Sequence, residues 1–320
     1  MAVKLMSNPT AFEATRDGFG RALAALGEKD SRIIGLSGDL NDSTRVDWLK
    51  EKRPKQFVQA GIAEQNMVGM ACGLSLAGFV PFAATFGAFT FRAADHIRVS
   101  VAFSNLNVKI VATHCGVTTG EDGGNAQVLE DLAFFRSLPN FTVVSPCDSL
   151  EAYKATEVAA GLESPVYLRL GREKVPIITC DETPFSLGKA ETFHDGSDVA
   201  IIATGIEVNE AMIAARELAK EKISARVINM HTIKPIDEEA IAKAAKECGC
   251  IVTAEEHQVT GGLGGAVAEV VAQRQPVPMR FVGVQNRFGE SGKGSKLLKH
   301  FKLTSEFIAK AAKEAIKARK

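Results

Sequence analysis

Short apolar runs alternate with amphipathic segments along most of this 320-residue chain. The apolar runs have the length of strands, and the segments between them repeat apolar residues at helical spacing. The predicted strands include 32–37, 108–113, 141–145 and 165–170 in the first half, and 199–203, 224–229, 250–254 and 280–283 in the second. Because strands that alternate with helices favour parallel pairing through crossover connections, the pattern predicts an α/β fold of mostly parallel sheets flanked by helices.

A polar, turn-rich stretch from about residue 178 to 198 interrupts this alternation. We interpret it as a linker, which predicts two consecutive domains, at 1–180 and 190–320, each with its own mostly parallel sheet. With 46% hydrophobic residues, the chain is large enough to bury two cores. The lysine-rich end, 308–320, is predicted to be a helix with one charged, solvated face.

Charge and composition exclude several classes of partner. Lys plus Arg and Asp plus Glu number 38 each, so no global field attracts nucleic acid or an anionic membrane. No apolar run approaches the roughly 20 residues that a membrane span needs, and the N-terminus lacks the apolar region of a signal peptide, which predicts a cytoplasmic protein. The six cysteines are scattered, which favours reduced thiols, and Cys248-Gly-Cys250 has no second pair, so we predict no metal site within this chain.

Glu64 is a carboxylate inside an otherwise apolar strand-to-helix junction. Residues 56–60 have the pattern of a short strand, and residues 67–76 are small and apolar at helical spacing. Burying an unpaired ionised carboxylate costs roughly several kcal/mol, so the pattern indicates a group that is protonated, paired or awaiting a ligand. A first-turn glutamate that only complements the helix dipole is the alternative interpretation.

The junction around Glu64 is one of a series of blocks: Gly61–Met67, Ala84–Phe89, Ala112–His114, Gly120–Gly124 and Phe135–Asn140. In order and spacing, these blocks resemble the pyrimidine-binding domain of transketolases. The blocks Met230–Asp237, Glu255–His257 and Gly261–Gly264 resemble the C-terminal domain of the same family. The resemblance covers nearly the whole chain, whereas the family's preceding domain has no counterpart here. The chain therefore resembles the C-terminal half of a split transketolase.

This resemblance implies a transferase that moves a two-carbon ketol group reversibly from a ketose phosphate to an aldose phosphate, as in the pentose phosphate pathway. It implies thiamine diphosphate as the cofactor, bound between the pyrimidine-binding domain of one protomer and the diphosphate-binding domain of another. The magnesium ligands would come from an N-terminal-half subunit, without which the chain would be inactive. A homodimer core within an α2β2 assembly is the expected arrangement.

The resemblance also assigns roles to particular residues. Glu64 matches the family's acid, which hydrogen-bonds the aminopyrimidine ring, and Phe86 and Phe89 match the platform on which that ring stacks. Taken alone, two such aromatic residues indicate core packing. His114, at a strand end, matches the histidine that contacts the donor ketose and moves protons, and Asp122 matches the residue that reads a sugar hydroxyl.

Three residues match the family's ligands for the substrate phosphate: Arg16, Ser43 and Arg172. Two guanidinium groups and a hydroxyl suit a phosphate dianion. The chain departs from the family at two positions. Arg92 replaces a third pocket aromatic residue, and Ala126 replaces a histidine four residues after Asp122, which would alter substrate choice.

Two other functions remain open at this point. One is the β subunit of a thiamine-dependent 2-oxoacid dehydrogenase, which has the same two-domain plan but is disfavoured by the three phosphate ligands. The other is a non-catalytic regulatory subunit that retains the fold, which Arg92 and Ala126 favour and the retained Glu64, His114 and Asp122 oppose.

The second half of the chain offers no catalytic cluster of its own. Its glycine-rich segments, 262–267 and 288–295, lack the spacing of a dinucleotide or phosphate-binding loop. In the family this domain buttresses the dimer. His257, beside Glu255 and Glu256, is accordingly predicted to be structural.

Overall fold

The computed structural model describes residues 2–6 and 9–319. Its strands are β1 (Phe12–Glu13), β2 (Ile33–Ser37), β3 (Phe57–Gln59), β4 (Val80–Phe86), β5 (Lys109–Thr113), β6 (Thr142–Val144), β7 (Val166–Arg169), β8 (Val175–Pro176), β9 (Glu191–His194), β10 (Val199–Ala203), β11 (Ala225–Asn229), β12 (Thr232–Lys234), β13 (Ile251–Gln258) and β14 (Met279–Val284). Its α-helices are α1 (Thr15–Lys29), α2 (Asn41–Thr44), α3 (Asp47–Lys52), α4 (Glu64–Leu76), α5 (Gly87–Thr90), α6 (Ala94–His96), α7 (Asp131–Ser137), α8 (Ser149–Ala160), α9 (Glu207–Lys220), α10 (Glu238–Cys248), α11 (Leu263–Arg274), α12 (Gly294–His300) and α13 (Ser305–Ala318).

The first sheet has the strand order β12-β6-β7-β5-β4-β2-β3. All neighbouring pairs are parallel except β12 with β6. The central strands β2 and β5 are buried along their whole length, as expected of parallel strands that are covered by helices on both faces. This burial explains why the apolar runs do not alternate with polar residues, and the α/β prediction is confirmed.

The second sheet has the order β14-β13-β10-β11-β9, with β9 antiparallel to β11 and the other pairs parallel. Helices α9 and α13 pack together and contact this sheet. The final helix is amphipathic as predicted, since Ile308, Ala311, Ala312 and Ala315 are buried. The domain boundaries at 1–180 and 190–320 stay predictions.

One strand of the second half extends the first sheet. β12 pairs antiparallel with β6, with Thr232 opposite Val144. The preceding His231 carbonyl accepts a hydrogen bond from the Ser145 amide at 2.8 Å. The sequence pattern did not predict this pairing, and it joins the two halves of the chain through backbone hydrogen bonds.

The carboxyl ends of β2, β4 and β5 lie side by side. Ser37 is opposite Ala84, and Phe86 is opposite Thr113, so the residues that follow these strands meet at one edge of the sheet. This edge is where open α/β sheets usually bind ligands. Among residues 2–6 and 9–319, no helix is both long enough and apolar enough to cross a membrane.

Candidate active site

Glu64 is the first residue of α4, and it follows β3 through a turn at Gly61, whose φ is +74°. The residue is 4% exposed, so the predicted buried carboxylate at a helix start is confirmed. Its partner is Arg92, whose Nη1 donates to Oε1 at 3.1 Å and lies 3.4 Å from Oε2. Of the three states that the sequence left open, the structure shows the paired one.

Arg92 joins this carboxylate to an aromatic stack. Its guanidinium carbon lies 4.4 Å from the centre of the Phe89 ring, within cation–π distance. Phe89 in turn stacks on Phe86, with ring centres 5.4 Å apart and planes 17° from parallel. Phe91 packs edge-on against Phe134 and is not part of this stack. The position that departs from the family pattern therefore holds a cation between the acid and the aromatic rings.

His114 follows β5 and also stacks on Phe86, with ring centres 3.6 Å apart. Its backbone is left-handed, with φ +57°, which is uncommon for a residue other than glycine. Nδ1 lies 2.9 Å from Thr113 Oγ1, and Nε2 lies 3.5 Å from Nη1 of Arg16. Since arginine only donates, Nε2 is the acceptor and Nδ1 carries the proton. Burial, reinforced by nearby arginines, lowers the pKa of His114 to about 3, so the imidazole is neutral at physiological pH.

Three guanidinium groups gather beside His114: Arg16, Arg45 and Arg172 all lower its pKa. Arg16 Nη1 donates to the Ser43 carbonyl at 2.8 Å, while its buried Nε has no hydrogen-bond partner in the part of the chain that the structure describes. Burial first, and then Arg45, lower the pKa of Arg16. Arg45 itself is paired with Asp17 at 2.6 Å. A cation with a buried, unbonded N–H beside further cations is an arrangement suited to an anion.

Arg172 reaches this group through the segment that follows His114. Its Nη1 donates to the Thr119 carbonyl at 2.7 Å, and the Thr119 hydroxyl donates to the His114 carbonyl at 2.6 Å. Asp122 lies farther along the same segment, is exposed, and lines a cleft of about 580 Å3 with Gly123, Gly124 and residues 288–291. Among the described residues, no hydrogen bond or ion pair joins Asp122 to His114.

The predicted residues thus fall into one continuous row and one separate position. Glu64, Phe89, Phe86, His114 and Arg16 are connected in that order, with Arg92 between the first two. The Ser43 carbonyl accepts a hydrogen bond from Arg16. Arg172 is connected to His114 through its hydrogen bond to the Thr119 carbonyl. Sequence reasoning missed Arg45 and the ion pair of Arg92. The only signal for Arg92 was its departure from the family pattern, and Arg45 had none.

The residues at this edge suit a planar ring that exchanges hydrogen bonds. Phe86 and Phe89 offer an aromatic surface, and Glu64 offers a buried acid next to it. The Thr85 hydroxyl, at the end of β4, is buried without a hydrogen-bond partner among the described residues. The donor set therefore fits an aminopyrimidine. No cluster of three or more His, Cys, Asp or Glu side chains that could hold a metal occurs within 2–6 and 9–319.

Comparison with known families agrees with this arrangement. Residues 13–177 match the transketolase pyrimidine binding domain, and residues 188–308 match the transketolase C-terminal domain. A protein of Methanocaldococcus jannaschii that is named as a transketolase C-terminal section is 43% identical, over 96% of this chain and 97% of its own length. The chain belongs to the transketolase family, whose enzymes depend on thiamine diphosphate.

Three further proteins of the transketolase family match nearly the whole of this chain. The 6-deoxy-6-sulfo-D-fructose transketolase subunit SqwH of a Clostridium species is 41% identical over 93% of each chain. Human transketolase is 40% identical over 95% of this chain but only 49% of its own length, so the chain spans about half of that relative. A solved split gene transketolase, in an inactive β4 tetramer, superposes with a TM-score of 0.90 at 41% identity and covers 97% of this chain and all of its own.

Proposed function

We propose that this chain is the pyrimidine-binding subunit of a two-component transketolase. Together with an N-terminal-half subunit, it transfers a two-carbon ketol group from a ketose phosphate to an aldose phosphate. The observation that carries this proposal is the continuous row from Glu64 through the aromatic stack to His114 and Arg16. Relatives that match the chain over nearly their full length support the two-component arrangement.

Glu64, Phe86 and Phe89 are the residues that would hold thiamine diphosphate. When bound, this cofactor supplies a carbon nucleophile that carries the two-carbon unit between sugars. Glu64 would share a proton with the pyrimidine ring, and the two rings would fix the plane of the pyrimidine. In this proposal the diphosphate and magnesium ligands come from the partner subunit.

His114 would act on the donor sugar. The imidazole is neutral because burial lowers its pKa to about 3, and its Nε2 lone pair faces Arg16. A neutral imidazole has a lone pair that can accept a proton from a sugar hydroxyl, whereas an imidazolium has none. The left-handed backbone at His114 is a strained conformation of the kind found at functional sites. Asp122 would read another sugar hydroxyl from the edge of its cleft.

Arg16, Arg172 and Ser43 would hold the anionic end of the sugar, with Arg45 as an additional cation. A phosphate ester is the first candidate, because paired guanidinium groups bind phosphate oxygens well. A sulfonate has a similar tetrahedral set of oxygens, and the Clostridium relative is named for a sulfonated fructose. Ala126, where the family has a histidine, removes one polar side chain that would contact a sugar hydroxyl or the phosphate.

The test combines this chain with an N-terminal-half subunit, thiamine diphosphate and magnesium. Donors are xylulose 5-phosphate and 6-deoxy-6-sulfofructose, each with ribose 5-phosphate as the acceptor. We expect ketol transfer that requires both subunits and that falls at least about a hundredfold with Glu64→Gln, since general acid–base groups contribute roughly 10²–10⁴ in rate. The matched control is Glu51→Gln, which neutralises an exposed carboxylate and should leave the rate unchanged.

The same reconstituted mixture distinguishes the proposed transketolase from the two alternative functions. Turnover of a 2-oxoacid with an artificial electron acceptor, without ketol transfer, would indicate a 2-oxoacid dehydrogenase subunit. Cofactor binding without turnover of any donor would indicate a regulatory subunit. Full activity of the Glu64→Gln variant would contradict the assignment of the acid.

A further inference from the structure

The segment Gly116–Gly124, here called the donor loop, carries Asp122 and the carbonyl that binds Arg172. Three of its glycines, Gly116, Gly120 and Gly123, have φ values of +90°, +82° and +76°. A short 310 turn, Val117–Asp122, is its main regular structure. A loop that turns at three glycines with positive φ takes its conformation from the groups packed around it.

One of those groups is Glu256, which belongs to β13 of the second sheet. Its side chain is buried, and Oε1 accepts a hydrogen bond from the Thr118 amide of the donor loop. A Cβ at Gly116 would lie 2.2 Å from the carboxyl carbon of Glu256, so the loop approaches this carboxyl as closely as glycine allows. Arg169 Nη2 donates to the backbone carbonyl of Glu256 at 2.9 Å, and this hydrogen bond fixes the strand that carries the carboxyl group.

Gln127 makes a second connection between the two halves. Its Nε2 lies 3.1 Å from the Val117 carbonyl and 3.2 Å from the Gly120 carbonyl, both in the donor loop. The same nitrogen donates at 2.8 Å to the carbonyl of Glu290, in the segment 288–294, which ends at the first residue of α12. The glycines of the loop touch this segment directly, since a Cβ at Gly124 would lie 2.6 Å from the Gly289 carbonyl oxygen.

We propose that Glu256 and Gln127 are positioning residues, which hold the donor loop against the second half of the chain in the conformation that reads the donor sugar. The C-terminal domain then takes part in donor recognition without touching the sugar. This inference rests on the proposed function, because it assigns the loop that carries Asp122 to the donor. It makes Glu256 and Gln127 determinants of donor affinity and leaves the aromatic stack and Glu64 unaffected.

Hydrogen exchange on the isolated chain tests the positioning itself, whatever the reaction. The variants are Glu256→Ala and Gln127→Ala, with Glu256→Gln as the conservative replacement, since its amide oxygen still accepts from Thr118. We expect faster exchange within 116–124 in both alanine variants, unchanged exchange in β5, and protection restored by Glu256→Gln. The matched control is Glu255→Ala, because Glu255 is also buried but, among the described residues, its hydrogen bonds and its ion pair with His257 all lie within the second half of the chain.

Kinetics of the reconstituted complex test the consequence for donor recognition. We expect Gln127→Ala and Glu256→Ala each to raise the KM for the donor about tenfold, because the loss of one buried hydrogen bond weakens an interaction by about this factor. The affinity for thiamine diphosphate should change less than about twofold. Unchanged loop exchange in both alanine variants would overturn the proposal. Altered exchange with an unchanged donor KM would also overturn it. A wild-type complex without ketol transfer would instead contradict the proposed function, and the exchange experiment would still decide whether the two residues position the loop.

Discussion

At the scale of single residues, the site depends on how buried charges are compensated. Glu64 is buried beside an aromatic stack, and Arg92, 28 residues later in the chain, supplies its counter-charge. The sequence indicated that Glu64 is buried, because it lies between a strand and an apolar helix, and it left a first-turn glutamate that only complements the helix dipole as the alternative. The ion pair could not be predicted, because a separation of 28 residues carries no information about contact without the fold.

Removing the partner of Glu64 should destabilise the isolated chain. We expect Arg92→Ala to lower the free energy of unfolding by about 1–2 kcal/mol at pH 7, less than for a fully buried pair because the Arg92 side chain is 52% exposed. In a Glu64→Gln background the same change should cost less, since no buried charge is then left unpaired and only the contact with the Phe89 ring is lost. Denaturant unfolding of the four proteins measures this coupling, and equal losses in both backgrounds would show that the pair does not stabilise the fold.

His114 should make the stability of the chain depend on pH. Its pKa is lowered to about 3 in the folded state, against an ordinary value of 6.5, so between these pH values the unfolded chain binds a proton that the folded chain does not. The contribution of this residue to stability is therefore complete above pH 6.5 and is lost as the pH falls towards 3.

The test compares wild type with His114→Asn, since asparagine tolerates the left-handed backbone at this position. Relative to this variant, wild type should lose about 1–2 kcal/mol of unfolding free energy between pH 7 and pH 5. Denaturant unfolding at the two pH values gives this difference. A stability difference that is the same at both would contradict a buried, neutral imidazole.

At the scale of elements, helix α1 presents Arg16 and packs closely on α8. Apolar residues at helical spacing over 149–160 predict α8, and the structure has this helix at Ser149–Ala160, after the Asp148 cap. The same spacing over 12–26 predicts a start for α1 that is about three residues too early, since Phe12 and Glu13 form the short strand β1 with β8. β12 was missed because its partner β6 lies about 90 residues earlier, and periodicity identifies strands but not their partners.

Glycine at the contact of α1 with α8 should be essential for this packing. A Cβ at Gly18 would lie 1.8 Å from the Ser149 carbonyl oxygen, so Gly18→Ala should destabilise the chain by about 1–3 kcal/mol through forced separation of the helices. The matched control is Gly69→Ala in α4, where an added Cβ would lie more than 4 Å from every described atom outside its own stretch of helix and where alanine should stabilise the isolated chain by up to about 1 kcal/mol. Thermal unfolding of both variants gives the comparison, and equal shifts in the same direction would contradict the close contact.

At the scale of the whole molecule, the two halves form a single support for the site. The row of contacts from Glu64 to Arg16 lies in the first half, whereas Glu256 and the segment 288–294 of the second half pack against the donor loop. The sequence predicted two α/β units and the family, because the strand–helix alternation and the blocks around the site residues are local patterns. It did not predict the packing between the halves, because those contacts join residues more than 100 positions apart.

The stoichiometry of reconstitution tests the two-subunit arrangement most directly. A fixed amount of this chain is titrated with an N-terminal-half subunit in the presence of thiamine diphosphate and magnesium, and ketol transfer from xylulose 5-phosphate to ribose 5-phosphate is measured. We predict no activity from either subunit alone and a rate that saturates at one partner chain per copy of this chain. Ketol transfer by this chain alone would contradict the two-subunit arrangement. A mixture that assembles and binds the cofactor, but transfers no ketol group from a phosphorylated or sulfonated ketose, would contradict the proposed function.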